Sequence, residues 1–418
     1  MMTSRWKWLL GLLTRRLWFR ATLISLLAVA SALISIVVAP FLPEGLSAKI
    51  GADAVDSILT IIASSMLAVT TFSLSTTVAA YSAATSHVTP RATKLLIEDA
   101  TTQNVLATFV GSFLFSLVAI ITLSMGAYGE RGRVVLFVVT IAVVLLIVVT
   151  LLRWIDYLLR LGRVGETTEQ VEKAAERAFA SRLENPYLGG TPLMQHNSIP
   201  VGAVPVLPVN VGYVQNVDVA AISAIAERCE GEVFLTAIPG TLVDFNRPLA
   251  WCACFGEEVP IEDLQQAFTV ANERTYDQDP RFGLSVLAEI ASRALSPAMN
   301  DPGTAIDVIG RSVRLLSTWA ADRDTAEIRH PRVKVPEISP GELLDDIYHP
   351  IARDGATMAE VHVRLQKALL SLARMGEPRF RTEAVRHSRL AMKRAELAMT
   401  FQPDVDRVRQ AAQPFETL

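Results

Sequence analysis

The sequence predicts a membrane domain of four transmembrane helices followed by a soluble α+β domain on the cytoplasmic side. Apolar residues make up 51% of the 418-residue chain and charged residues only 19%, whereas soluble domains contain about 25% charged residues. Charges are sparse from Ala21 to Leu152 and dense from Arg153 onward, so one part of the chain suits lipid and the other suits water. The net charge of −3 argues against a general nucleic-acid-binding protein.

Four apolar stretches are each long enough to cross a hydrocarbon core about 30 Å thick, which takes roughly 20 helical residues. They lie at about residues 21–43, 57–85, 104–128 and 134–159. Their apolar parts lack the charged stripe of a helix at the surface of a soluble protein. The first stretch exceeds the roughly 7–15 apolar residues of a cleavable signal peptide, so we expect it to be retained.

The positions of Lys and Arg predict that both termini are cytoplasmic. Positive residues collect in cytoplasmic loops. Most of them here fall in the N-terminal 20 residues, between the second and third spans, and after the fourth span. Arg131 and Arg133, in the second external loop, conflict mildly with this orientation. Residues 1–20 are basic and hold three tryptophans, which is typical of a helix lying on the membrane surface.

The second span is richer in hydroxyl groups than the others. Its candidate pore-lining residues are Ser64, Thr70, Thr71, Ser73, Ser75, Thr77, Tyr81 and Ser82. Small hydroxyl residues serve helix packing in many membrane proteins, and they also line pores, where their dipoles replace part of an ion's hydration shell. A transporter cavity inside one chain is disfavoured because the spans hold no buried ionisable residue of the kind that couples to protons or sodium. Basic residues near the cytoplasmic mouth, such as Arg91, tilt the expected selectivity slightly towards anions.

Four separated motifs carry a family resemblance. They are SMLAVTTFSLSTTVAAYSAATSHVTPR at Ser65–Arg91, GYVQNVD at Gly212–Asp218, ERTYDQDPRFGL at Glu273–Leu284 and ALSPAMNDPGTA at Ala294–Ala305. Together they resemble the bacterial family of predicted membrane proteins known as domain of unknown function 2254 (DUF2254). The resemblance implies a multi-pass protein of the bacterial inner membrane with a cytoplasmic C-terminal domain. It implies no activity and no catalytic residues.

The soluble part is expected to contain a connecting helix at 161–190, a β-rich module at 191–258, a helical domain at 259–402 and a frayed tail at 403–418. Within it we expect a helix at Ala267–Tyr276, a loop at 323–341 and amphipathic helices at 340–373 and 378–401. The stretch PGTLVDFNRPLA, from Pro239 to Ala250, resembles the turn and strand of small barrel-sandwich (lipoyl-like) modules. Those modules carry a cofactor on a lysine that this region lacks, so a structural or ligand-sensing module without a cofactor is expected.

Six polar residues flank two predicted helix starts and are candidates for a ligand site or a subunit contact. They are Asp277, Asp279, Arg281, Asn300, Asp301 and Thr304. Helix capping explains Asn300 and Asp301 equally well, because Pro302 suits the first helical position. The carboxylate oxygens of Asp277, Asp279 and Asp301 could hold a divalent cation. The spacing of a calcium-binding loop is missing, however, and no metal is assigned. The three cysteines suggest reduced thiols, and Cys252 and Cys254 are interpreted as apolar residues of one strand.

Motifs that mark enzymes are missing from the sequence: it has no Gly-rich phosphate loop, no GxSxG elbow and no HExxH helix. We therefore expect no enzymatic activity. The leading hypothesis is a homo-oligomeric ion channel or pore, lined by the second span and assembled or gated by the cytoplasmic domain. Its partners would be the lipid bilayer, further copies of the chain and inorganic ions, with no nucleic acid. The alternative hypothesis is a non-conducting, membrane-anchored ligand sensor or scaffold.

Overall fold

The structure, a computed structural model, describes residues 17–38, 52–97, 99–126, 130–193, 199–254, 259–320, 327–375 and 377–418. The described chain divides into two compact units. We call residues 17–86 and 93–166 the apolar unit, and residues 87–92 and 167–418 the α+β unit. Most of the predicted surface helix at 1–20 lies outside the described residues.

The described part of the apolar unit is helical. Its helices are α1 (Leu17–Val38), α2 (Ala52–His87), α3 (Pro90–Ile97), α4 (Ala100–Ser124) and α5 (Glu130–Leu158). Three runs are long and apolar enough to cross a membrane, namely Ala54–Thr85, Pro90–Ser124 and Gly132–Leu158. The first predicted span gives only the shorter apolar run Trp18–Ile34 among the described residues. The second, third and fourth predicted spans are thus supported by length and composition, while the first span and the orientation stay predictions.

Close helix contacts and large side chains fill the interior of the apolar unit. At Gly111 on α4 a Cβ atom would lie 3.0 Å from the Ile24 side chain of α1, and such small residues let membrane helices approach. Phe109, Phe115 and Trp154 are buried among the helices. These three large side chains occupy space between the described helices of the unit.

The α+β unit contains two small sheets. It begins with α6 (Val164–Glu184), followed by β1 (Gly190–Pro192), β2 (Val204–Val206), β3 (Gly212–Val217), α7 (Val219–Arg228), β4 (Glu232–Leu235), β5 (Leu242–Val243), β6 (Ala250–Ala253), α8 (Ile261–Gln266) and β7 (Phe268–Ala271). Then come α9 (Pro280–Ala294), α10 (Pro302–Ala320), β8 (His330–Val335), α11 (Pro340–Asp354), α12 (Ala359–Met375), α13 (Pro378–Ala398) and α14 (Gln402–Ala412). The larger sheet has the order β1-β8-β4-β6-β2 and the smaller one β5-β3-β7. In the larger sheet β8 runs parallel to β1 and β4, while β6 runs antiparallel to its two neighbours.

Several predicted elements of the soluble part differ in the structure. The helix expected at Ala267–Tyr276 is wrong, since Phe268–Ala271 is strand β7, paired with β3. The loop expected at 323–341 contains β8, whose Val333 and Val335 are buried in the sheet. The barrel-sandwich interpretation is replaced by two sheets that take strands from beyond residue 258. These strands form because partners distant in sequence bury one of their faces, which local patterns do not reveal.

The C-terminal helices also differ in their breaks. The single helix expected at 340–373 is two, because the chain leaves the helix at Gly355 and starts again at Ala359. Ser339 begins the first of them with a capping box, in which Glu342 binds back to the Ser339 backbone. The tail expected to fray holds α14, whose Val405 and Val408 are buried. Burial of this apolar face stabilises a short helix that would be marginal alone.

Candidate functional site

The hydroxyl residues of α2 divide between two faces of the helix. Ser73, Thr77 and Tyr81 face the interior of the apolar unit. The indole Nε1 of Trp154 donates a hydrogen bond to Ser73 Oγ at 3.0 Å, and Tyr81 donates to the Leu96 carbonyl at 2.8 Å. Thr77 donates to the Ser73 carbonyl at 2.8 Å. These residues therefore bind within the unit, and Ser73 and Thr77, both buried, are not placed to line a pore.

A second row of hydroxyl residues is exposed. It comprises Ser64, Thr71, Ser75 and Ser82, spaced by seven, four and seven residues along one side of α2, a spacing that aligns side chains on a helix. Ser64 donates to the Thr60 carbonyl and Thr71 to the Ala68 carbonyl, both at 2.9 Å. A hydroxyl that donates to its own helix keeps acceptor lone pairs for an outside group. We call these four residues the exposed hydroxyl row; Thr70, half-buried, donates to the Met66 carbonyl at 2.6 Å.

The exposed face of α5 has a different chemistry. Its large exposed side chains are aliphatic, namely Val138, Ile141, Leu145, Leu146, Val148, Val149, Leu152 and Ile155. Such a face suits contact with lipid tails. The exposed surface of α2 is mixed, because Leu67, Phe72 and Val78 are exposed beside the hydroxyl row, whereas the large exposed side chains of α5 are all aliphatic.

The chain that follows α2 is held by α9 within the α+β unit. The guanidinium of Arg293 donates to the Val88 carbonyl at 3.2 Å, and Arg91 forms an ion pair with Glu289. The Tyr276 hydroxyl donates to the Arg91 carbonyl at 3.4 Å. Val88 is fully buried. We call the three groups contributed by Tyr276, Glu289 and Arg293 the α9 clamp.

A cleft of about 640 Å³ lies beside the clamp, within the α+β unit. One wall is formed by Thr89 and Pro90, and the others by side chains of α9 and α11. Its acidic residues are paired outside the cleft. Asp346 accepts from Arg281 at 2.7 Å, and Asp345 accepts from Arg386 at 3.0 Å. The cleft therefore offers hydroxyl and guanidinium groups beside neutralised carboxylates.

Asp279, one of the six predicted ligand-site residues, is buried in an ionic cluster. It is 2% exposed, and both its oxygens accept from Arg274, at 2.7 and 3.0 Å. Its Oδ1 also accepts from the Phe282 amide at 3.2 Å, which caps α9. Gly240, at φ +94°, passes so close that a Cβ atom there would lie 2.4 Å from Asp279 Oδ2. Burial lowers the pKa of nearby Arg182 to about 10, an effect that the charge of Asp279 opposes.

The other predicted ligand-site residues have different partners. Arg281 binds Asp346 and Glu342 of α11, whereas Asp301 caps α10 by accepting from the Thr304 amide at 3.1 Å and its hydroxyl at 2.6 Å. These hydrogen bonds lower the pKa of Asp301. Asn300 takes a left-handed backbone at φ +46°, which asparagine tolerates well. For Asp301 and Thr304 the capping interpretation thus describes the contacts seen.

The carboxylates considered as cation ligands do not assemble into a metal site. Asp279 is occupied by Arg274 and Asp301 by Thr304. Within the ranges that the structure describes, no group of three or more His, Cys, Asp or Glu side chains could hold a metal ion.

Comparison with known proteins supports the resemblance carried by the four motifs. A family model described as "Predicted membrane protein (DUF2254)" matches residues 14–371, which is most of the chain. The chain belongs to the DUF2254 family. This DUF2254 protein is 26% identical over 303 residues to two uncharacterized mycobacterial proteins, Mb1321c of Mycobacterium bovis and Rv1290c of Mycobacterium tuberculosis. The match covers 70% of the present chain but only 56% of each relative. No solved structure matches it significantly.

Sequence reasoning missed the residues that hold the DUF2254 chain beyond α2. Glu289 and Arg293 sit in an ordinary amphipathic helix, where charged residues usually face solvent. Arg274, by contrast, lies in the same motif as Asp279, five residues before it. A basic residue so close to a candidate ligand-site carboxylate could have indicated an ion pair. The partnership of Arg182 with this cluster had no local signal.

Proposed function

We propose that this DUF2254 protein is a homo-oligomeric ion channel of the bacterial inner membrane, in which the exposed hydroxyl row of α2 lines the permeation path. The observation that carries the proposal is the contrast between two exposed faces of one apolar unit. The exposed surface of α2 carries the hydroxyl row among apolar side chains such as Leu67 and Val78, whereas the large exposed side chains of α5 are all aliphatic. Polar residues on a membrane helix are expected to face protein or water in preference to lipid.

Several copies are required because the interior of one apolar unit is filled. Phe109, Phe115 and Trp154 occupy the space between its helices. Around a shared axis, each copy would present Ser64, Thr71, Ser75 and Ser82 to a common path. The lining then repeats the same hydroxyls in rings, as in pores built from symmetric subunits.

The chemistry of the row favours cations. Ser64 and Thr71 donate their hydroxyl hydrogens to carbonyls of their own helix, so the oxygens offer lone pairs to a passing ion. Arg91, which tilted the sequence expectation towards anions, is ion-paired with Glu289. We therefore infer passage of small cations, contrary to that expectation.

Gating is assigned to the α9 clamp. The clamp holds Val88 and Arg91, and α2 ends at His87, immediately before them. A displacement of α9 is thus passed along the backbone to the end of the lining helix. Glu289→Gln should change the fraction of time the channel is open and leave the single-channel conductance unchanged. A changed conductance, or no change in either quantity, would contradict this assignment.

Flux measurements on purified protein in liposomes test conduction. Potassium flux should exceed that of empty liposomes, and chloride flux should be lower than potassium flux. Thr71→Leu and Ser75→Leu should each reduce the potassium flux towards the empty-liposome level. Val149→Leu, which alters the aliphatic face of α5, is the matched control and should leave it unchanged. Potassium flux equal to that of empty liposomes would refute the channel.

The cleft beside the clamp favours a second candidate, a membrane-anchored ligand sensor that does not conduct. Its volume of about 640 Å³ falls within the roughly 300–1,000 Å³ typical of small-molecule sites. In that case a metabolite should raise the unfolding temperature of the purified protein while liposomes show no flux. Loss of this stabilisation in Ser292→Leu, which narrows the cleft, would assign the binding to it.

A further inference from the structure

All three cysteines of the chain share one apolar core beside the larger sheet. Cys252 lies on β6, Cys254 follows the end of that strand, and Cys229 caps the C-terminus of α7. Cys229 and Cys252 are 4% and 1% exposed, while Cys254 is half-buried. The channel hypothesis gives these thiols no role.

The sulfur atoms of Cys252 and Cys254 are in contact. Their Sγ atoms are 3.3 Å apart, because side chains two residues apart on a strand point to the same face. A disulfide bond is about 2.05 Å long, so the sulfurs need to approach by only about 1.2 Å. Ala253 is the last residue of β6 paired with β4, and the backbone of Cys254 beyond it is outside the ladder. The required movement therefore falls at the end of β6, where its ladder with β4 stops.

The two thiols differ in their exposure to solvent, and this difference assigns them different roles in disulfide exchange. Cys254 is the one within reach of a dissolved reagent, whereas Cys252 is enclosed by the core. Burial raises the pKa of the Cys252 thiol, and its contact with Cys254 opposes the rise. A dissolved disulfide must reach the attacking thiolate, so the more exposed Cys254 is the first nucleophile and Cys252, in contact with it, is the resolving thiol.

We propose that Cys252 and Cys254 form a redox-active dithiol that exchanges with small disulfides of the oxidised-glutathione class. The Cys254 thiolate attacks one sulfur of the reagent and forms a mixed disulfide, and the released glutathione thiolate takes up a proton. The Cys252 sulfur then attacks Cys254 Sγ, expels the second glutathione thiolate and gives its proton to it. The two protein thiols are oxidised to one disulfide, and one small disulfide is reduced to two thiols.

Full-length protein in detergent, incubated with oxidised glutathione, tests the proposal. Remaining thiols are alkylated, and the chain is cleaved after glutamate, which separates Cys229 from the pair because Glu230 and Glu232 lie between them. Mass spectrometry should find the peptide with Cys252 and Cys254 lighter by two hydrogen atoms and Cys229 alkylated. Added reduced glutathione should reverse the change.

Single substitutions separate the two roles. In Cys252→Ser the mixed disulfide on Cys254 should accumulate, because the resolving thiol is gone. In Cys254→Ser neither remaining thiol should react in the native protein. Cys229→Ser is the matched control and should behave as the natural sequence does. The proposal is overturned if Cys254 reacts only after denaturation, if its adduct is equally stable with Cys252 present, or if the disulfide forms to Cys229.

Discussion

Replacing Asp279 by Ala should destabilise the α+β unit far more than the loss of a helix cap. The carboxylate is 2% exposed and accepts two hydrogen bonds from Arg274 and one from the Phe282 amide. Arg182, itself 6% exposed, lies close enough for the charge of Asp279 to oppose the lowering of its pKa by burial. The substitution therefore leaves buried guanidinium charge without its carboxylate.

The magnitude follows from the two roles of the side chain. Removing one partner of a buried ion pair costs about 3–5 kcal/mol, because the other charge stays buried and uncompensated. Loss of a helix N-cap by itself costs about 1 kcal/mol. Asp301 is the matched control, since it caps α10 in the same way but is exposed. Asp301→Ala should thus cost about 1 kcal/mol, and the difference between the variants measures the buried charge.

Hydrogen exchange of full-length protein in detergent measures the difference in local stability between the two variants. The measurement does not require the two units to unfold together. Since about 1.4 kcal/mol corresponds to a factor of ten, amides of α9 should exchange at least about 100-fold faster in Asp279→Ala. In Asp301→Ala the amides of α10 should exchange only about 5–10-fold faster. Equal acceleration in the two variants would refute the account of a buried ionic cluster.

Three further substitutions test burial and close packing in the same unit. Burial lowers the pKa of His362 from an ordinary 6.5 to about 4, so the unfolded chain takes up its proton first. The stability of α12 should then fall by up to about 3 kcal/mol as the pH drops from 6.5 to about 4. Hydrogen exchange should show that His362→Leu removes the share of this pH dependence that is due to His362. An unchanged pH profile in that variant would contradict the prediction. In Gly283→Ala the new Cβ would lie 2.3 Å from Ala175 Cβ, so the unit should lose about 1–3 kcal/mol. Gly310→Ala, with ordinary contacts at 3.6 Å, should gain up to about 1 kcal/mol, and thermal unfolding shifts of equal sign in both would contradict this reading.

The features predicted best from the sequence are those that depend on nearby residues, namely apolar helices and helix starts. Lipid requires long apolar helices, so α2, α4 and α5 could be read from runs of uncharged residues. Helix starts were also visible, as at Asp301 before Pro302. Strand β8 was missed because it depends on β1 and β4, which lie far away in the chain. Non-local pairing leaves only a short alternating pattern that flanking prolines disguise.

The sequence predicted which residue types form the candidate site, but not which face of α2 each residue lies on. The eight hydroxyl residues of α2 are evident in the sequence, yet only tertiary packing decides which of them meet Trp154. It turns Ser73 and Thr77 inward and leaves Thr71 and Ser75 exposed. The α9 clamp could not be predicted, because it joins residues about 200 positions apart.

The most direct test of the proposed channel is chemical modification of the exposed hydroxyl row during conduction. Thr71→Cys, reconstituted in a planar bilayer, should lose its cation current when a positively charged, thiol-specific methanethiosulfonate reagent is added. The natural sequence and Val149→Cys, on the aliphatic face of α5, should keep their currents under the same treatment. Current in Thr71→Cys that persists after its modification is verified by mass spectrometry, or the lack of any current in the natural protein, would contradict the proposal that α2 lines a pore.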